Sequence, residues 1–142
     1  MSDGISKFLK IVEETSSEQA IIARFLQGSA LQMPLYHGSQ TKFDTFDRPP
    51  SGVFFSPHRD WATEYGPVIK TCYVWAPKVY TVSYRDELGA DILDALFDRD
   101  YDALAAYIQK LKAHGFYALQ TRTDSEMVCA FDNAKIYCSE TE

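Results

Sequence analysis

The chain has 142 residues, of which 46% are hydrophobic and 14% aromatic, enough for one domain with a real core and too few for two. Its 20 acidic against 14 basic residues give a net charge of −6, which argues mildly against broad binding to nucleic-acid phosphates, and the apolar share excludes a disordered chain. The opening "MSDGISKFLKIVEE" is charged and amphipathic, unlike a signal peptide, and no window reaches the length of a membrane span, so a cytoplasmic protein is expected.

Near the N-terminus, Ile5, Phe8, Leu9 and Val12 fall at helical spacing. "TSSEQAIIARFLQG" predicts a second helix, with Thr15 and Glu18 at capping-box spacing and Gly28 as its stop. These two helices, within residues 1–30, are expected to form a helical extension packed on the main domain, residues 31–142. From Met33 the texture changes. "MPLYH" and "GVFFS" predict short strands on either side of a long polar loop, "GSQTKFDTFDRPPS". "SPHRDWATEYG" predicts a compact helix with Ser56 as cap, Pro57 in the first position and Gly66-Pro67 at its end.

The β-branched and aromatic runs "VIKTCYVWA" and "KVYTVSY" predict strands, separated at Ala76-Pro77. "ADILDALFDRDYDALAAYIQKLKAHG" reads as helical, with Leu104, Tyr107, Ile108 and Leu111 on one apolar face and Gly115 closing it. "FYALQ", "MVCAF" and "KIYCS" predict the last strands. Helices and strands mix without regular βαβ alternation, which favours an α+β class. Cys72, Cys129 and Cys138 are an odd set without metal or disulfide-framework spacing, and read as small apolar residues in strands of a reduced protein.

The chain carries no Gly-rich phosphate loop, dinucleotide fingerprint, nucleophile elbow or metal-spaced His/Cys cluster. Its three histidines, His37, His58 and His114, lie far apart in sequence. Three segments remain. In "YHGS", His37 leaves a strand and can present a ring nitrogen to a ligand hydroxyl, Gly38 lets a ligand approach the backbone, and Ser39 adds a hydroxyl. In "GVFFSPHRDWATEYG", Phe54 or Phe55 and Tyr65 can face one another and sandwich a flat heterocycle; the other reading makes Trp61, Ala62 and Tyr65 the core face of a helix. In "TDSEMVCAFDNAKIYC", Glu126 precedes an apolar strand, either as a solvated flank or as a carboxylate steadying positive charge on a sugar carbon.

Taken in order, "YHGS", then "GVFFS" with Ala62 and Tyr65 following, then Glu126 ahead of an apolar strand ending in Phe131-Asp132, the chain resembles the ADP-ribosyltransferase fold. The likeness is to its H-Y-E class, shared by diphtheria-like toxins and poly(ADP-ribose) polymerases, and above all to small phage and bacterial members, and it spans residues 34 to 138. The resemblance implies a split β-sheet that clamps NAD as substrate, without a metal. It implies that His37 bonds the NAD ribose with Gly38 and Ser39 beside it, that Phe54, Phe55, Ser56 and Tyr65 also bind NAD with Tyr65 stacking on the nicotinamide, and that Glu126 and His37 are the catalytic residues.

It further implies transfer of ADP-ribose to a macromolecular target, a protein before a nucleic acid, in phage or bacterial conflict. The loop from Gln40 to Ser51 and the helix 89–113 would flank the cleft and choose the target. Phe54 stands where polymerase-like members often carry tyrosine. Glu126 lies five residues before Phe131 where the family pattern has four, so a β-bulge in "EMVCAF" is expected to restore its direction; otherwise Asp124 or Ser125 stands in. Two alternatives stay open: a non-catalytic module of the same fold, and an unrelated α+β protein that binds a partner through aromatic surface.

Overall fold

The computed structural model of the chain describes residues 17–41, 46, 49–122 and 126–139. Among the described residues, seven strands and four helices give an α+β protein with two sheets. Helix α1 occupies residues 17–25, and Gly28, at φ 83°, ends the turn that follows it. The expected helix over Ile5–Val12 and the Thr15 cap lie outside the described residues. The end of α1 is tied to the sheets by side chains. Ser29 donates through Oγ to the Val74 carbonyl at 3.0 Å, and the Trp75 indole donates to the Gln27 carbonyl at 2.9 Å.

Strand β1 (Leu35–Ser39) pairs antiparallel with β3 (Val68–Trp75), which pairs antiparallel with β7 (Lys135–Cys138). The second sheet runs β2-β6-β5-β4, from β2 (Val53–Phe55), β6 (Met127–Ala130), β5 (Ala118–Thr121) and β4 (Val79–Val82). Its β4–β5 pair is parallel and the others antiparallel. A parallel pair needs a long crossover, and helices α3 (Glu87–Phe97) and α4 (Tyr101–Ala113) supply it. Tyr36 and Ser56 join the two sheets, exchanging backbone bonds of 2.7 and 2.8 Å.

Strand alternation explains the two cores. Val53, Phe55, Val128 and Ala130 turn one way and share a core with Leu35, Cys72 and Val74 of the first sheet. Cys129, and Phe131 just beyond β6, turn the other way and meet Ile92, Leu104, Ile108 and Leu111 of α3 and α4. The expected apolar face of α4 is thus buried, with Leu104, Ile108 and Leu111 at 2% exposure or less.

The helical stretch expected over "ADILDALFDRDYDALAAYIQKLKAHG" is two helices rather than one. Arg99 takes a left-handed φ of 55° after α3, and the Asp100 carboxylate then accepts the Ala103 N–H at 3.1 Å to start α4. A short acidic side chain competes for backbone N–H groups and favours a cap over a helix interior. The helix expected over "SPHRDWATEYG" is also shorter. Helix α2 covers only Arg59–Ala62 and passes into a 3-10 turn, Thr63–Tyr65. Ser56 does not cap it. Its Oγ accepts the His58 N–H at 3.0 Å, a local turn that leaves Pro57 outside the helix and His58 extended as N-cap. Among the described residues, no helix is long and apolar enough to cross a membrane.

Candidate functional site

The site is built where the two sheets meet. His37 lies in the middle of β1, opposite Lys70 of β3. Its Nδ1 sits 2.9 Å from the Phe54 carbonyl oxygen of β2. A carbonyl only accepts, so Nδ1 carries the proton and Nε2 is the acceptor of the neutral ring. Burial pushes the His37 pKa below the ordinary 6.5; the Phe54 carbonyl opposes this and the Lys70 cation adds to it. The Phe46 and Phe55 rings meet the imidazole edge to face, at centroid distances of 4.9 and 5.7 Å.

Gly38, the next residue, presents the opposite face of β1. A Cβ there would overlap the Ala62 carbonyl of α2, and the Tyr65 Cβ would lie 3.3 Å from it. The close approach of α2 therefore requires the glycine, a packing reason in place of the expected ligand approach. Ser39 is occupied locally, its Oγ donating to the Thr41 carbonyl at 2.8 Å. Of the helical trio Trp61, Ala62 and Tyr65, only Ala62 is a core residue. Tyr65 is 67% exposed and its ring is open to solvent.

The two phenylalanines of β2 separate by strand alternation. Phe55 is 3% exposed in the core against His37 and offers no open face for stacking. Phe54 turns to the helical side, 6.3 Å from the Tyr101 ring of α4. A sandwich of Phe55 with Tyr65 is therefore absent, because neighbouring residues of a strand point to opposite faces. Ser56 is buried at the seam between the sheets.

Glu126 immediately precedes β6. The ladder is regular against β5 from Met127 to Ala130 and against β2 from Val128 to Ala130, and the Phe131 N–H continues it to the Tyr117 carbonyl at 3.0 Å. The expected bulge is not present over that stretch. Met127, not Glu126, is the ladder residue that packs towards the helical core, while Val128 joins the core of the two sheets. The Glu126 carboxylate instead reaches the turn between β2 and α2, 3.7 Å from His58 Nε2, with both side chains about half exposed. Asp124 and Ser125 lie outside the described residues.

Glu126 opens on a cleft of roughly 280 Å³ that it shares with Pro57, Gln120, Arg122 and Met33. That is near the lower bound for small-molecule pockets, about 300 Å³, so a dinucleotide would have to extend beyond it. Neither His37 nor Tyr65 is among its lining residues. The structure thus brings His37, Phe54 and Phe55 together, sets Tyr65 against the other face of β1, and places Glu126 with His58. The sequence reading missed His58 and Arg122. His58 follows β2 and meets Glu126, and Arg122 follows β5 and lines the same cleft; both are brought there by sheet register, which leaves no local signal in a sequence.

No protein-family profile matches this chain, and no curated protein matches it. Among solved structures, the crystal structure of an anti-CRISPR protein is similar with a TM-score of 0.45 and 13% identity, over 75% of this chain and 95% of that one. At that level the likeness supports no statement about function.

Proposed function

We propose that the protein is an ADP-ribosyltransferase that takes NAD, releases nicotinamide and modifies a macromolecular target, a protein in the first instance, in the cytoplasm. The observation that carries the proposal is the seam. The Tyr36–Ser56 bridge brings the "HGS" strand beside the "FFS" strand, with His37 anchored to Phe54 across it, Tyr65 against the other face of β1 and Glu126 beside the turn that leads to α2. In this reading the clamp is the pair of sheets joined at that bridge.

The residue types suit the reaction. A neutral His37 that donates through Nδ1 to Phe54 offers Nε2 to a ribose hydroxyl. Tyr65 supplies an exposed ring for the nicotinamide. When the nicotinamide–ribose bond breaks, the electron pair leaves with nicotinamide and positive charge spreads over C1′ and the ring oxygen. The Glu126 carboxylate stabilises that charge more than the ground state, and Arg122 in the same cleft can meet the phosphates. A role in phage or bacterial conflict follows from the family resemblance alone.

The test is incubation with NAD and a cell lysate, reading nicotinamide release and ADP-ribose gained by any protein. Glu126→Gln should lower the rate about 10²–10³-fold. Equal rates in the substituted protein remove Glu126 from the chemistry. A second reading, a binding module without turnover, is favoured by one observation. The ladder residue on the Phe54 side is Met127, which has no charge to stabilise a cation. NAD bound but never consumed, with any lysate, selects the module, and indifference to NAD removes both readings.

A further inference from the structure

Cys72 and Cys138 are 66 residues apart in the chain yet directly opposite one another on β3 and β7. The next pair along the ladder is marked by the Ser139 N–H, which donates to the Thr71 carbonyl at 2.9 Å. Thr71 and Ser139 are therefore a hydrogen-bonded pair. Because such pairs alternate along an antiparallel ladder, Cys72 and Cys138 form a non-hydrogen-bonded pair, the kind whose Cα atoms approach to about 4.5 Å. Disulfides span Cα separations of about 4.4–6.8 Å. Opposite residues also share a face, and both thiols pack in the core common to the two sheets.

We propose that Cys72 and Cys138 are a dithiol modification site that low-molecular-weight disulfides convert reversibly into a cross-strand bridge. The two sulfurs play different parts. Cys138 is half-buried and open to attack, whereas Cys72 is fully buried. A hydrogen bond from the Cys72 thiol draws the Cys138 pKa below its ordinary value, against the effect of burial and with help from Lys70. Cys138 is thus the attacking thiolate and Cys72 the resolving thiol.

Thiolate attack by Cys138 on one sulfur of the small disulfide forms a mixed disulfide and expels the first small thiol. Cys72 then attacks the Cys138 sulfur and expels the second. The two electrons pass to the small disulfide, and the two cysteine protons end on the two released thiols. Cys138 is only partly buried, so small thiols can reach the bridge and reduce it, which suits a reversible mark. Cys129, the third cysteine, is buried on the helical side of β6, and burial alone raises its pKa, so it takes no part.

The experiment exposes the folded wild-type protein to oxidised glutathione, quenches with acid, then unfolds, alkylates and maps the peptides. The expected result is loss of two of the three thiols, a Cys72–Cys138 cross-linked peptide, an alkylated Cys129, and a higher Tm that dithiothreitol reverses. Cys72→Ala should instead hold glutathione on Cys138, and Cys138→Ala should gain neither adduct nor cross-link. A lasting glutathione adduct on wild-type Cys138, a cross-link through Cys129, or three unchanged thiols would each overturn the proposal. The wild-type map decides even if a variant does not fold.

Discussion

His37 Nδ1 and the Phe54 carbonyl oxygen, 2.9 Å apart, tie β1, an edge strand of one sheet, to β2, an edge strand of the other. The bond fixes the ring tautomer, and the buried setting makes the protonated ring costly. His37 has a folded-state pKa below its ordinary 6.5, so the unfolded chain binds more protons wherever the two differ. The contribution of His37 to stability is therefore intact above about pH 6.5 and is lost as pH falls below that value towards the folded one. Urea midpoints measured across this window should decline in the wild type. His37→Gln should flatten that part of the profile, and an unchanged profile would assign the decline to other groups.

Gly38→Ala should destabilise the protein by roughly 3 kcal/mol, the upper end of overpacking effects, because the new methyl collides with backbone and not with a movable side chain. Urea unfolding measures it. A loss under about 0.5 kcal/mol, the scale of ordinary surface changes, would mean that α2 stands further from β1.

Tyr65→Ala separates binding from folding. The side chain is 67% exposed, so stability should change by less than about 0.5 kcal/mol. Loss of a ring that stacks on a heterocycle costs about 1–3 kcal/mol, or on the order of tenfold or more in Kd. Calorimetric titration with NAD should show that weakening. Unchanged affinity would remove Tyr65 from the nicotinamide site.

Tyr80 tests the start of α3. Its hydroxyl donates to the Asp86 carboxylate at 2.7 Å, and the same Oδ1 accepts the Gly89 N–H at 2.6 Å as the helix cap. Burial, then that hydrogen bond and charge, push the Tyr80 pKa up to about 12. Asp86→Asn keeps a capping oxygen but removes the charge. Phenolate absorbance should then show one tyrosine titrating closer to the ordinary value of 10.0.

Arg99→Gly should stabilise the protein by up to about 1 kcal/mol, since a left-handed φ of 55° strains every residue with a side chain. Thermal melting gives the sign, and a lower Tm would show that the arginine side chain contributes more than its backbone strain costs.

The segments most legible in the sequence are those whose signal is local. The β-branched and aromatic run of β3, the i, i+3, i+4 face Leu104–Ile108–Leu111 of α4 and the Gly28 stop are each written in a few adjacent residues, and each is found in the fold. Local patterning also marked His37, Phe54, Tyr65 and Glu126 as unusual in their surroundings. It could not say which of them meet. Arg99 broke an apparently continuous helix because the adjacent Asp100 gains more as a cap than as a helix-interior residue, a competition that periodicity does not weigh. Register between distant strands set the rest: it put Cys72 against Cys138, withdrew Phe55 into the core, kept the β6 ladder regular and turned Glu126 to His58. Those placements depend on how surfaces far apart in the chain pack together, and packing is a property of the pair, not of either segment alone.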